Sequence, residues 1–255
     1  MPGMRSAKRI GQKIGLLILL QLAGGLLVIF VLLRPLTTPP GFLEIAAASS
    51  LQLGVAVVLW FVVGALSIGI AIAAWPLFRR YSSAMALWLV ILSVVAFSLL
   101  AVENATVMSM LSLSQDYAVA GAPDSEVFRT LGAVVGAARK WAYLTSALVG
   151  ECMIFVFYSI LYRFRLVPRA LSVFGLVTVL LKITALTMPF FGHRVVLPMV
   201  LPQPVIYLAL ALWLVAKGFD ATRPRACPRN GCPPHAPGLQ GRSTTTRPPG
   251  ERLPP

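Results

Sequence analysis

Six stretches of this chain are each long and apolar enough to cross a lipid bilayer, and this limits the possible folds more than any other feature. A spanning helix needs about 20 mainly apolar residues, because each residue adds about 1.5 Å toward a hydrocarbon core roughly 30 Å thick. Lipid offers no partner to unpaired backbone groups, so stretches of this length fold as helices. The sequence therefore predicts an all-α, polytopic membrane protein with six transmembrane helices in one bundle. The predicted spans are residues 14–33, 51–77, 83–102 with an extension to 113, 141–161, 170–190 and 197–215.

The positive charge of the chain is explained by membrane threading rather than by nucleic-acid binding. The formal net charge is +14, yet only 12% of the residues are charged, against about 25% in soluble domains. Lys and Arg are concentrated between the apolar stretches and in the C-terminal region, and they form no single surface interleaved with aromatic residues. The predicted partner is therefore the lipid bilayer, with no nucleic acid.

The distribution of Lys and Arg also predicts an orientation, because positive residues are retained on the cytoplasmic side. With the N-terminus inside, 16 Lys and Arg residues fall on the cytoplasmic side and 5 on the other. We therefore expect both termini in the cytoplasm and the domain in a plasma membrane. The excess of Arg over Lys, 17 to 5, is typical of a GC-rich genome and favours a bacterial source.

Three segments are expected along the chain. Residues 1–13 form a basic cytoplasmic segment, residues 14–219 the six-span domain, and residues 220–255 a Pro- and Arg-rich cytoplasmic tail that is predicted to be disordered. Between the third and fourth spans, an apolar pattern of helical period over residues 127–135 predicts an interfacial helix. The tail contains Cys227, Cys232 and His235. Three ligands at irregular spacing are too few for a structural zinc site, so neither a metal nor a cofactor is predicted.

Glu151 is the residue most out of place in this pattern. It lies ten residues from either end of the fourth predicted span, where an ionised side chain costs about 2.5–3.5 kcal/mol on insertion scales. It must therefore face the bundle interior, be protonated, or be paired. Tyr143, Ala147, Tyr158 and Tyr162 share its helical face and form a small and phenolic stripe, which favours an interior position.

Lys182 is the candidate partner of Glu151, since it is the only basic residue inside a predicted span and lies at about the same depth. Three interpretations remain open. The two side chains form a buried ion pair that fixes the register of the helices, or Lys182 extends outward past Pro189. Alternatively, they belong to a working site: a proton-coupled carboxylate, an ion-binding group, or an anchor for a polar headgroup or small solute.

Glu103 is a second acidic residue next to an apolar stretch, and Asn104, Thr106 and Ser109 follow it. Because apolar residues continue to Leu113, we expect the third helix to extend past the outer face of the membrane. Glu103 would then face water in an outer vestibule.

The chain contains no motif that names a reaction. G-x-S-x-G, H-E-x-x-H and the P-loop pattern are all missing from the sequence, so an enzyme is not favoured. Charged residues inside the bundle are the one positive signal, and they favour a small transporter or ion-coupled carrier of a small solute or ion. The alternatives are a structural or regulatory membrane protein without a substrate and, with less support, an intramembrane enzyme.

Several stretches also resemble one known family. They are IGLLILLQLAGG, AWPLFRRYS, AVENATVMSMLSLSQ, LYRFRLVPRALSVFGLV and ALWLVAKGF. Together they are similar to the bacterial multi-pass membrane family known as domain of unknown function 4386, over residues 13–219. The resemblance implies a helical membrane domain with no established activity. By position, Glu103 matches an acidic residue of the family, whereas Leu100 stands where many members carry a base and Tyr207 lies near the position of a further acid.

Overall fold

The computed structural model describes residues 2–34, 42–121 and 126–219. The predictions about the tail, including Cys227, Cys232 and His235, lie outside these residues. Within them the all-α prediction is confirmed. The helices are α1 (Pro2–Leu27), which continues as a π-helical turn (Val28–Leu32), α2 (Phe42–Ile45), α3 (Ser50–Phe78), α4 (Ser83–Val119), α5 (Glu126–Phe164), α6 (Arg169–Thr187), α7 (Leu197–Val200) and α8 (Pro202–Lys217).

Six helical segments of the described chain are long and apolar enough to cross a membrane, as predicted. They are Lys8–Leu32, Ser50–Phe78, Ser83–Val119, Glu126–Phe164, Arg169–Phe191 and Leu197–Lys217. Their outward faces are apolar: Leu16, Phe30 and Trp88 are among many large hydrophobic side chains that are more than half exposed. Such side chains face hydrocarbon favourably, so the six segments form a multi-pass membrane domain.

The six long helices form a closed ring in chain order. Each packs against the next, α1 on α3, α3 on α4, α4 on α5, α5 on α6 and α6 on α8, and α8 closes the ring against α1. Two glycines permit this closing contact. A Cβ atom at Gly15 would lie 2.8 Å from the Val215 backbone nitrogen, and one at Gly11 would lie 2.6 Å from the Phe219 nitrogen. Small residues of this kind let two spanning helices approach at backbone distance.

Helices α4 and α5 form a long hairpin that projects beyond the other helices. They contain 37 and 39 residues, about 55 Å at 1.5 Å per residue, against a hydrocarbon core of roughly 30 Å. The predicted extension of the third span is confirmed. The predicted interfacial helix at residues 127–135 is instead the first part of α5, because α5 continues through it without a break. We call the end of the bundle with the α4–α5 connection the far side, and the opposite end, with the α3–α4 and α5–α6 connections, the near side.

Two apolar clusters fill the ring, one toward each side. The near-side cluster includes Ile14 of α1, Phe78 of α3 and Leu161 of α5. The far-side cluster includes Val28, Leu53 of α3 and Met110 of α4. Between them, at the middle of the spans, the interior becomes polar.

Candidate functional site

A cavity of about 250 Å³ lies between the two apolar clusters. Its walls come from α1, α3, α4, α5 and α6. On α3, for example, the lining residues Trp60 to Ser67 fall between Leu53 of the far-side cluster and Ile70 of the near-side cluster. The cavity is therefore at about mid-membrane depth. Its polar lining residues are Gln21, Ser67, Ser93, Tyr143, Ser146, Glu151 and Lys182.

Glu151 and Lys182 meet at the wall of this cavity. The Lys182 Nζ atom lies 2.6 Å from the Glu151 Oε1 atom, and the Glu151 residue is 4% exposed. Lys182 comes from α6 and Glu151 from α5, so the ion pair joins two neighbouring helices. The alternative in which Lys182 extends past Pro189 is wrong, because the ammonium group turns toward α5.

Amide side chains extend the ion pair to the other helices. The Lys182 ammonium donates a 3.2 Å hydrogen bond to Gln203 Oε1 of α8. Near it, the Tyr207 hydroxyl of α8 donates to Gln21 Oε1 of α1 at 3.5 Å, and Gln21 Nε2 donates to Ser67 Oγ of α3 at 2.7 Å. Sequence reasoning missed Gln21 and Gln203. Each could have been recognised as an amide side chain within an otherwise apolar predicted span.

Glu103 does not face water, so the prediction of an outer vestibule position was wrong. The residue is only 3% exposed. Its carboxylate is enclosed by Arg139 and Ser146 of α5 and by Trp60 of α3. Arg139 reaches it because α5 begins fifteen residues before the predicted start of the fourth span. Because the predicted fourth span begins at residue 141, Arg139 and Lys140 fell outside it, which concealed a base close enough to attract the buried Glu103 carboxylate.

Polar side chains on adjoining faces of α5 connect the two acidic residues. Arg139, Tyr143 and Ser146 follow at spacings of four and three residues and share one helical face, and Glu151 follows Tyr143 by eight residues, about 80° around the helix. Tyr143 lines the cavity and is close enough to interact electrostatically with Glu103, Arg139 and Glu151. A line of polar groups therefore runs along α5 from the far side to the Glu151–Lys182 pair.

Tyr158 lies two helical turns from Glu151 toward the near side and is 1% exposed. Its ring packs directly on the α6 backbone at Gly175. Its hydroxyl has no hydrogen-bond partner among the described residues. Tyr162, predicted to lie on the same interior stripe, is 45% exposed. The stripe therefore ends at Tyr158, because the near-side end of α5 turns its next tyrosine outward.

The described residues contain no group of three or more His, Cys, Asp or Glu side chains that could hold a metal ion. What the site offers is one ion pair at a cavity, the buried Glu103 carboxylate with Arg139 near it, and amide, phenol and hydroxyl groups. Groups of these kinds can donate and accept hydrogen bonds and can pair with a charge inside an apolar bundle.

The comparisons with known proteins give one match. A family model described as "Domain of unknown function (DUF4386)" matches residues 14–218. No curated protein and no solved structure matches the chain.

Proposed function

Since the chain belongs to the DUF4386 family, whose name assigns no activity, we propose from its own geometry that it is a transporter-like, ion-coupled helical bundle. In this proposal a small polar solute or ion binds in the mid-membrane cavity beside Glu151 and Lys182. One observation carries it: a buried acid and a partly buried base from different helices meet at the wall of a cavity of about 250 Å³.

The energetics of the pair favour a working role. Removing two charges from water offsets much of their mutual attraction, so a buried ion pair is a weak source of stability. Ionisable residues inside a membrane bundle commonly mark solute and ion pathways. Lys182 lines the cavity and keeps 21% of its side chain exposed. The pair therefore has an open space beside it, which a purely structural contact does not require.

A structural or regulatory protein without a substrate is the second candidate, and one observation favours it. Lys182 contacts both Glu151 of α5 and Gln203 of α8, so a single side chain ties three helices together. Contacts of this kind would fix the register of the helices and hold the ring closed without any ligand.

Native mass spectrometry of the purified protein in lipid nanodiscs separates the two candidates. We expect the wild type to retain a small molecule or ion, and the variant Glu151→Gln/Lys182→Met to lose it while remaining folded. The matched control, Glu126→Gln/Lys140→Met, changes an exposed acid and an exposed base on the same helix and should retain it. Once identified, the molecule should cross liposome membranes through the wild type. A wild type that carries nothing, or a double variant that keeps the adduct, would support the structural candidate.

We also propose that the near side faces the cytoplasm of a bacterial plasma membrane. The connections and adjoining helix ends on that side contain Arg79, Arg80, Arg163, Arg165 and Arg169. With the terminal segments, the sequence count of 16 Lys and Arg against 5 supports the orientation. In a cysteine-free background, Ala120→Cys on the far side should react with a membrane-impermeant maleimide in intact cells, whereas Ser83→Cys should react only after permeabilisation. The reverse pattern would mean the opposite orientation.

A further inference from the structure

We infer that the cavity takes a small polar solute without net charge that brings both a hydrogen-bond donor and a hydrogen-bond acceptor. The inference rests on the proposed function and narrows it to a class of substrate. It includes neutral molecules with amide or hydroxyl groups and small zwitterions.

The acceptor that the protein offers is the second carboxylate oxygen of Glu151. Oε1 is occupied by Lys182, whereas Oε2 is buried and has no hydrogen-bond partner in the described part of the chain. Leaving a buried acceptor unpaired costs about 1–3 kcal/mol, and more for a charged group. A solute that donates a hydrogen bond to Oε2 removes this cost, so a donor on the solute is favoured.

The donor that the protein offers is the indole nitrogen of Trp60. Trp60 lines the same cavity from α3, and its buried Nε1 atom lies close to the Glu103 carboxylate but makes no well-aligned hydrogen bond to it or to any other described residue. An indole N–H can only donate. A carbonyl, hydroxyl or carboxylate oxygen of a bound solute would give this N–H a better-aligned acceptor than the Glu103 carboxylate does.

The charge balance of the walls decides against a solute with net charge. Glu151 and Lys182 are the charged residues that line the cavity, and they compensate each other. Behind the wall, Glu103 is balanced by Arg139. A lone cation or anion would enter a low-dielectric space with no free counter-charge, at a cost of several kcal/mol.

The size and remaining lining fit a small molecule. The volume of about 250 Å³ is just below the range of about 300–1,000 Å³ for drug-sized ligands. Val63, Phe97 and Leu100 supply apolar wall. A few polar groups in a mainly apolar pocket fix the orientation of a ligand.

Four probes of nearly equal size test the class: neutral glycolamide, zwitterionic glycine, cationic glycinamide and anionic glycolate. Proteoliposome swelling is followed at about pH 6, where the glycinamide amine is protonated, with ionophores that collapse membrane potential and pH gradients. We expect glycolamide and glycine to enter wild-type vesicles at least about tenfold faster than the two charged probes, because a net charge lacks compensation.

Trp60→Phe removes the donor while keeping an aromatic ring, and should slow glycolamide entry at least about fivefold, since its acceptor loses a hydrogen bond of about 1 kcal/mol or more. The matched control is Trp88→Phe on α4, where the indole is 59% exposed on the outer face, and it should leave the rate unchanged. Thermal unfolding checks that both variants fold.

Each other outcome overturns the inference. A charged probe that enters as fast as glycolamide contradicts the solute class and leaves the carrier proposal intact. An unchanged rate in Trp60→Phe contradicts the assigned donor. If no probe enters faster than into protein-free vesicles, the class is wrong, and the retained adduct in native mass spectrometry decides the proposed function separately.

Discussion

Glu151→Gln and Lys182→Met, each made alone, are expected to lower the free energy of unfolding by about 3–5 kcal/mol, because each leaves the other charge buried without its partner. The two charged atoms are 2.6 Å apart and the glutamate is almost fully buried. Lys182→Met also removes the donor to Gln203 Oε1. Reversible unfolding in bicelles measures both values.

The double variant Glu151→Gln/Lys182→Met should recover most of this loss, because no unpaired charge remains. The resulting cycle should give a coupling free energy of at least about 2 kcal/mol. The exposed pair of changes Glu126→Gln and Lys140→Met serves as the control, and each should alter stability by less than about 0.5 kcal/mol. Losses that simply add in the double variant would contradict the pairing of these two charges.

Gly175→Ala is expected to destabilise the bundle by about 3 kcal/mol, and Gly175→Val by more. A Cβ atom at this position would overlap the Tyr158 ring. The ring cannot move away, because Tyr158 is fully buried in the near-side cluster. Overpacking of a filled core costs about 1–3 kcal/mol and occasionally more, and the depth of this overlap places it at the upper end.

Gly69→Ala on α3 is the matched control, since a Cβ atom there would meet nothing within 4 Å. Replacing that helical glycine should be neutral or stabilising by up to about 1 kcal/mol. Shortening the opposing side chain supplies a second check. In the Tyr158→Leu background, Gly175→Ala should cost at least about 1 kcal/mol less than in the wild type. Equal costs in both backgrounds would show that Tyr158 is not the obstacle.

The two predictions concern the same pair of helices. Tyr158 follows Glu151 by seven residues on α5, and Lys182 follows Gly175 by seven residues on α6, so each pair of residues shares one helical face. The contact of the Tyr158 ring with Gly175 therefore sets the distance between α5 and α6 two turns from the ion pair. A change at Gly175 should weaken solute retention as well as stability.

Most of the threading could be predicted from local properties of the sequence. Six apolar stretches of sufficient length correspond to the six spanning segments of the structure. A carboxylate at mid-membrane depth had to turn inward, and residue counting along two helices placed Lys182 at the depth of Glu151. These inferences need only the length of an apolar run and the cost of a charge in hydrocarbon.

The errors arose where the answer depended on neighbouring helices. Glu103 was assigned to water because the third helix was expected to extend past the outer face of the membrane, and Arg139, the α5 base near its carboxylate, lay outside the predicted fourth span. Gln21 and Gln203 were overlooked because the role of an amide side chain depends on the side chain to which it hydrogen-bonds. The cavity itself is formed by five helices, so it cannot be predicted from any single segment of the sequence.

The sequence by itself determined that the chain crosses a membrane six times and that Glu151 cannot face lipid, because hydrophobic length and charge desolvation act residue by residue. Only the tertiary structure decided which charges meet, which polar atoms stay unpaired and where space remains between the helices. Those properties depend on the distances and rotations that helix packing sets, and the order of residues along one helix does not specify them.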